Sequence, residues 1–400
     1  MRLSANIEQL KPSATIAVST LAKRLASEGR DIINLSAGEP DFDTPGFISD
    51  AAIQGIHDGR TRYTPPAGLP ELRKAIAARL SERAGRELSW EGVVVGAGAK
   101  QSLFNALFCM VGPGDEVLVA APYWTSYPAL ATLARAEPVE VAGPEDSDFK
   151  VTPDILESVR TERTRALVLN SPCNPTGAVY DLDELSAIAR WARDHDVALV
   201  SDEIYRNIYY GQDREAAPGI LDVAEADLGP FVLVDGASKS YAMTGWRIGF
   251  SYSAPELAKK FTSLQSQITS NAATPSQVAA LAAFGEPEQA DASIREMVVA
   301  FRRRRDLVSA RMAEHMPGVP FVEPQGAFYL YFRVDGLFRD GVTNATEWCN
   351  WLLQEKGVAL VPGAAFGDDR WVRMSYAAAD ETLEEAFRRI GALLSAGSAV

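Results

Sequence analysis

The 400-residue sequence predicts an α/β protein: a large domain on a mostly parallel sheet flanked by helices, plus a smaller α+β domain. Three observations carry this reading. Short β-branched runs recur through the middle of the chain, and several are apolar throughout, as strands buried on both faces are. Helical stretches lie between them, and strand–helix alternation marks a mostly parallel sheet. The C-terminal part then repeats an α+β pattern of its own.

The elements follow in order. The first ~45 residues have loop and single-helix character and are expected to pack with the second domain. Strands are predicted at Gly92–Gly96, Glu116–Ala120, Ala166–Asn170, Val197–Ser201, Phe231–Val234 and Arg247–Ser251. Helices are predicted at Lys100–Val111, Leu182–Asp194, Pro255–Gln267 and Ile294–Met316. The tail reads as strand Ala327–Arg333, helix Thr346–Glu355, strand Trp371–Ser375 and helix Glu381–Leu394. The expected division is 46–290 for the large domain, with 1–45 and 291–400 forming the small one. The basic run Arg302–Arg305 is read as a solvated helix face.

Composition narrows the function. Hydrophobic residues are 47% and charged residues 23%, which excludes disordered and fibrous classes. Lys and Arg number 39 and Asp and Glu 53, for a net charge of −14. Such a surface repels nucleic acid and anionic membranes, yet leaves room for a locally positive pocket. Three cysteines without C-x-x-C spacing and three scattered histidines predict no disulfide framework and no metal site. No signal-type h-region and no ~18-residue apolar span is visible, so a cytoplasmic protein is expected.

Parallel sheets bind ligands at the carboxyl ends of their strands, so the residues there matter most. Asn174 follows one strand in a loop stiffened by Pro172, Pro175 and Gly177; it reads as a turn residue or as a polar group at the sheet's mouth. Asp202 and Tyr205 follow the next. An acid there is either a helix cap or a charge awaiting a partner. After Phe231–Val234 come Ser238, Lys239 and Arg247 within S-K-x-x-x-M-x-G-W-R-x-G. A lysine buried among small residues has its pKa lowered and becomes a nucleophile for a carbonyl. Gly98, Ala99 and Lys100 open a helix after a strand, a seat for phosphate. A dinucleotide fingerprint fails there, because Gln101 stands at the third glycine position. Trp124 follows Glu116–Ala120 on a loop, where an indole can stack on a flat ring; Trp191, Trp348 and Trp351 are read as core. Together these groups make an inventory for pyridoxal 5′-phosphate.

At these residues the sequence resembles the fold-type I pyridoxal-phosphate enzymes, specifically class I aminotransferases of the bacterial aspartate aminotransferase type. The resemblance runs through KPSAT (Lys11–Thr15), AGEPDFDTP (Ala37–Pro45), RYTPPAGLPELR (Arg62–Arg73), GAKQSLFNAL, PYWTSYP, NSPCNPTGAVY, VSDEIY, ASKSYAMTGWRIG, GAFY (Gly326–Tyr329), VPGAAFG and VRMSYA (Val372–Ala377). It implies that Lys239 forms the Schiff base and carries the proton. It implies that Asp202 pairs with the pyridine N–H, that Tyr205 and Asn174 bond the 3′-oxygen, and that Trp124 stacks on the ring. Ser238, Arg247 and the backbone of Gly98–Lys100 would hold the phosphate. Tyr63 would reach the phosphate of a neighbouring subunit, implying a homodimer with shared sites. Arg373 would clamp the substrate carboxylate beneath the Gly38 backbone. Lys100, with Ser13 and Thr15, would meet the distal carboxylate of aspartate or glutamate. The amino acceptor would be 2-oxoglutarate or oxaloacetate, and some members of this branch also use prephenate. Cys173 stands where close relatives carry Asn. Rivals are a fold-type I lyase, such as a C–S lyase or an aminocyclopropane-carboxylate-synthase type, and aminotransferases for aromatic or other amino acids.

Overall fold

A computed structural model describes residues 5–8, 10 and 14–397. Its central sheet has seven strands among the described residues. The order is Val93–Gly96, Gly249–Tyr252, Phe231–Gly236, Ala198–Asp202, Thr164–Asn170, Glu116–Ala121 and Glu137–Ala142. Gly249–Tyr252 runs antiparallel to both neighbours, and the other pairs are parallel.

Alternation of side chains across each strand gives the sheet two apolar faces. Leu118, Leu167, Leu199 and Leu233 pack on one side under Leu72, Ile76 and Leu80 of helix Pro70–Ala84 and under Leu185 and Ile188 of helix Leu182–Asp194. Val117, Val119, Val168, Val200 and Val232 pack on the other under Leu103, Ala106 and Leu107 of helix Ala99–Met110. Each such side chain contributes roughly 1.5–3 kcal/mol on burial, and truncating a Leu here to Ala would cost about 2–5 kcal/mol. Local signals fix the helix ends. Asp181 accepts from the Glu184 N–H while the Glu184 side chain accepts from the Asp181 N–H, closing a capping box at the start of Leu182–Asp194.

A second, antiparallel sheet is ordered Val361–Pro362, Trp371–Ser375, Tyr329–Arg333, Phe321–Val322. Tyr331 lies opposite Arg373 and Tyr329 opposite Ser375. The sheet packs on Phe328, Trp348, Leu352, Phe387 and Ile390. Ile33–Asn34 pairs in parallel with Val358–Ala359, which ties the N-terminal segment to this C-terminal part. The helix Pro287–His315 leads from the first sheet to the second.

Several elements differ from the sequence reading. The edge strand Glu137–Ala142 went unread because it is half solvated and carries Glu137, Pro138 and Glu140. Helices Gly46–His57, Pro70–Ala84 and Thr274–Gly285 also went unread. Thr274–Gly285 is buried on most sides, so it has no polar face to reveal its period. The long helix begins at Pro287 rather than Ile294. Its basic run is not a solvated face throughout. Arg304 is buried and holds Asp41 through both terminal nitrogens, at 2.7 and 2.9 Å. Arg302 donates to the Gly211 carbonyl and Arg305 to that of Pro324.

Candidate active site

A cleft of about 380 Å³ opens where the carboxyl ends of the parallel strands meet the second sheet. Asn170 and Asp202 end adjacent strands and lie opposite each other in the register. Lys239 sits in the short helix Ala237–Ser240, which the strand Phe231–Gly236 runs straight into.

The Lys239 ammonium donates to the Gly38 carbonyl and lies 5.7 and 5.9 Å from the ring centroids of Tyr205 and Phe328. Burial pushes its pKa down to about 8, with Glu39 opposing and Arg373 and Arg247 assisting. Asp202 is buried and has no ion-pair partner among the described residues. Its Oδ2 accepts from the Tyr127 hydroxyl at 2.7 Å and its Oδ1 from the Ile204 N–H at 3.2 Å. Thus it caps the following turn with one oxygen and faces the cleft as well. Burial raises its pKa to about 6 against those two donors.

Arg373, also fully enclosed, donates to Asn174 Oδ1 at 2.9 Å and to the Ser36 carbonyl at 2.8 Å. Its Nε has no hydrogen-bond partner. A buried guanidinium without a carboxylate calls for an anion. Asn174 receives Arg373 on its oxygen, which leaves its NH₂ group as the donor available to the cleft. The Tyr205 hydroxyl is 2.7 Å from that of Tyr329.

At the other end, helix Ala99–Met110 starts without a side-chain cap, so its first N–H groups and dipole face the cleft. Gly98 has φ +86°, and a Cβ there would lie 2.4 Å from Arg247 Nη2. A Cβ on Gly249 would lie 2.1 Å from the Ala99 nitrogen. Two bare glycines therefore let backbone and guanidinium converge on one small volume. Ser238 lines the same cleft. Trp124 stands edge-on to Tyr127 at 5.5 Å, and the Lys100 ammonium lies 4.8 Å from the indole centroid. Burial, and then Arg247, lower the Lys100 pKa.

Of the residues singled out in the sequence, Gly38, Ala99, Lys100, Trp124, Asn174, Asp202, Tyr205, Ser238, Lys239, Arg247, Arg373 and Thr15 line this cleft, and Gly98 adjoins it. Tyr63 does not line it and is 90% exposed. Ser13 lies outside the described residues. Sequence reasoning assigned nothing to Tyr127, Tyr329 and Glu39, which also line the cleft. Tyr127 stands three residues after Trp124, a spacing that places both on one side of the turn and could have revealed it.

The profile of a family described as aminotransferase class I and II matches residues 30–390. The chain belongs to that family. This aminotransferase is 43% identical to the aspartate/prephenate aminotransferase of Cereibacter sphaeroides, over 98% of both chains. It is 39% identical to the aspartate aminotransferase of Bacillus subtilis, over 98% of each. The aminotransferase also superposes on the aspartate aminotransferase of Thermus thermophilus solved with maleate. That match has a TM-score of 0.91 and 40% identity, over 98% of this chain and all of that one. None of the described helices is long and apolar enough to cross a membrane.

Proposed function

We propose that the aminotransferase moves the amino group of aspartate or glutamate to a 2-oxo acid in a ping-pong cycle on pyridoxal 5′-phosphate. One observation carries the reading: a lysine with a lowered pKa, an acid without a cation and an arginine without a carboxylate share one cleft. The donor set fits the cofactor. Lys239 would take its aldehyde, Asp202 its ring N–H, Tyr205 and the Asn174 amide its 3′-oxygen, and Trp124 its face. Ser238, Arg247 and the N–H groups of Gly98–Lys100 would take its phosphate, in the space left by Gly98 and Gly249.

When bound, the cofactor supplies a carbonyl carbon and a ring that accepts electrons. The protein's part follows from its own groups. An amine with a pKa near 8 is partly unprotonated at neutral pH, so Lys239 Nζ is both nucleophile and base. Lys239 Nζ would also be the group placed to take the proton from substrate Cα and return it within the cleft. The Asp202 carboxylate would hold the cofactor's ring N–H and keep that nitrogen protonated. Arg373 grips the α-carboxylate with a planar fork, beside the Gly38 backbone. Lys100, with Thr15, would meet the distal carboxylate by leaving the indole face of Trp124. Prephenate is a further acceptor to test, given the Cereibacter relative's name.

The same reading makes the protein a homodimer of 46–290 and 1–45 plus 291–400 domains. Exposed Ile53, Ile56 and Tyr63 support it, with Tyr63 serving the partner subunit's phosphate site. The test is a screen of amino donors against 2-oxoglutarate, oxaloacetate and prephenate, with sedimentation for the dimer. Transfer from aspartate or glutamate is expected. Pyruvate release from cysteine-type substrates without an acceptor would favour a lyase instead.

A further inference from the structure

Tyr329 lines the cleft, is fully buried, and touches one functional group from each wall. It stands on the strand Tyr329–Arg333, next to the strand that carries Arg373. The Arg373 guanidinium lies 4.3 Å from its ring centroid. Two arms of that guanidinium are already engaged by Asn174 and Ser36, and of the two rings against it Tyr329 is nearer than Phe366, at 5.1 Å, so the Tyr329 ring is the main surface that sets its plane. At the ring's other end, the hydroxyl is 2.7 Å from the Tyr205 hydroxyl, and the two rings meet edge-on at 5.7 Å. The Gly38 backbone passes close by: a Cβ there would come within 3.0 Å of the Tyr329 oxygen.

We propose that Tyr329 is a positioning residue for two groups at once, its ring setting the plane of Arg373 and its hydroxyl setting the hydrogen bond that Tyr205 makes. The inference rests on the cofactor reading above, in which Tyr205 donates to the 3′-oxygen. A phenol has one proton to donate. If the Tyr205 proton goes to the cofactor oxygen, the proton between the two tyrosines belongs to Tyr329. Burial raises the pKa of both phenols, so both keep their protons through the working range. A donor behind Tyr205 polarises it and strengthens its own donation. Tyr329 is thereby the link between the wall that takes substrate carboxylate and the wall that takes the cofactor.

The experiment uses the full-length holoenzyme and reads the pH titration of the bound cofactor's visible absorbance beside the KM for amino donor and 2-oxo acid. Tyr329→Phe keeps the ring and loses the hydroxyl. Its visible titration is expected to move to higher pH by about half a unit to one unit, the equivalent of one hydrogen bond, with KM little changed. Tyr329→Leu removes the ring as well and should add a KM increase of roughly 2- to 30-fold for both substrates, the range of a cation–π contact. In a Tyr205→Phe background, Tyr329→Phe should shift the titration no further, which is what acting through Tyr205 means. An unshifted titration in Tyr329→Phe, or an equal shift with Tyr205 already removed, overturns the inference while the wild-type spectrum leaves the function intact. Wild type that gains no visible absorbance from added pyridoxal phosphate overturns both.

Discussion

Asp202 and Glu203 are adjacent, both acids and both buried, yet they do opposite work. Successive side chains at a strand end point to opposite sides, so one enters the cleft and the other the packing behind it. Glu203 meets Arg83 at 2.5 Å and also accepts from Ser201 Oγ at 3.0 Å and from the Ile220 N–H at 2.7 Å. Arg206 and Asp222 complete that cluster. Asp202 has a phenol and one backbone N–H in place of a cation. A buried acid with a built-in cation is structure; a buried acid without one is held ready for a ligand that brings the positive charge.

The largest effect is expected on the cleft side of this comparison. Lys239→Ala removes the proposed proton carrier and should cut steady-state transamination by at least about 100- to 10,000-fold, with the fold intact by circular dichroism. A rate within tenfold of wild type would sink the assignment. Next, the two neighbouring acids should separate cleanly. Asp202→Asn is expected to cost about 100-fold or more in kcat, as loss of preorganised charge does, with little change in urea midpoint. Glu203→Gln leaves Arg83 only the more distant Asp222 and should cost stability, at most about 3–5 kcal/mol, with near-normal activity per folded molecule. If both variants lose activity and stability alike, the division between the two sides is wrong.

A smaller effect concerns the substrate's far end. A charge-assisted hydrogen bond is worth roughly 1.5–3 kcal/mol, so Lys100→Ala should lower kcat/KM for dicarboxylates by about 10- to 150-fold. Single-turnover reaction with alanine should hardly change. Equal losses for aspartate and alanine would move Lys100 to the phosphate.

The smallest effects are pH shifts in the cofactor-free protein. Asp202 has its pKa raised to about 6, so it is neutral below that value and, on the proposed reading, would lose its hold on a ring N–H. Cofactor affinity should fall as pH drops through about 6, and Asp202→Asn should abolish that step. For stability the sign is the reverse: the raised pKa favours the folded state at low pH, and that contribution fades between 3.8 and about 6. Lys239, lowered from 10.5 to about 8, should be labelled by an amine reagent with a midpoint near 8. Its charge disfavours folding below that pH, a penalty that disappears towards 10.5. A labelling midpoint near 10.5 would show that the amine is solvated.

The sequence by itself placed most of the sheet and cleft. Buried strands must be apolar and short, and the polar residues that break those runs, Asn174, Asp202 and Lys239, are the ones at the strand ends. The capping box at Asp181 and the positive φ of Gly98 are likewise local requirements, whereas Gly249 is demanded by the Ala99 backbone that folding brings against it. What escaped was whatever depends on a distant partner. The edge strand Glu137–Ala142 is polar, and the alanine-rich helix Thr274–Gly285 has no face to betray it. Arg304 looks like its neighbours in a basic run until the fold brings Asp41 to it across 263 positions. Glu203 and Asp202 are indistinguishable as letters; only Arg83, from a helix far earlier in the chain, makes one of them inert. Tyr329 gains its place from Tyr205, in the turn after the central-sheet strand Ala198–Asp202, and from Arg373, on the neighbouring strand of its own sheet. Patterns along the chain record which residues must be buried or bent, because those demands are met by neighbours in sequence. Which buried charge finds a counter-charge is decided by elements that meet only once the chain has folded.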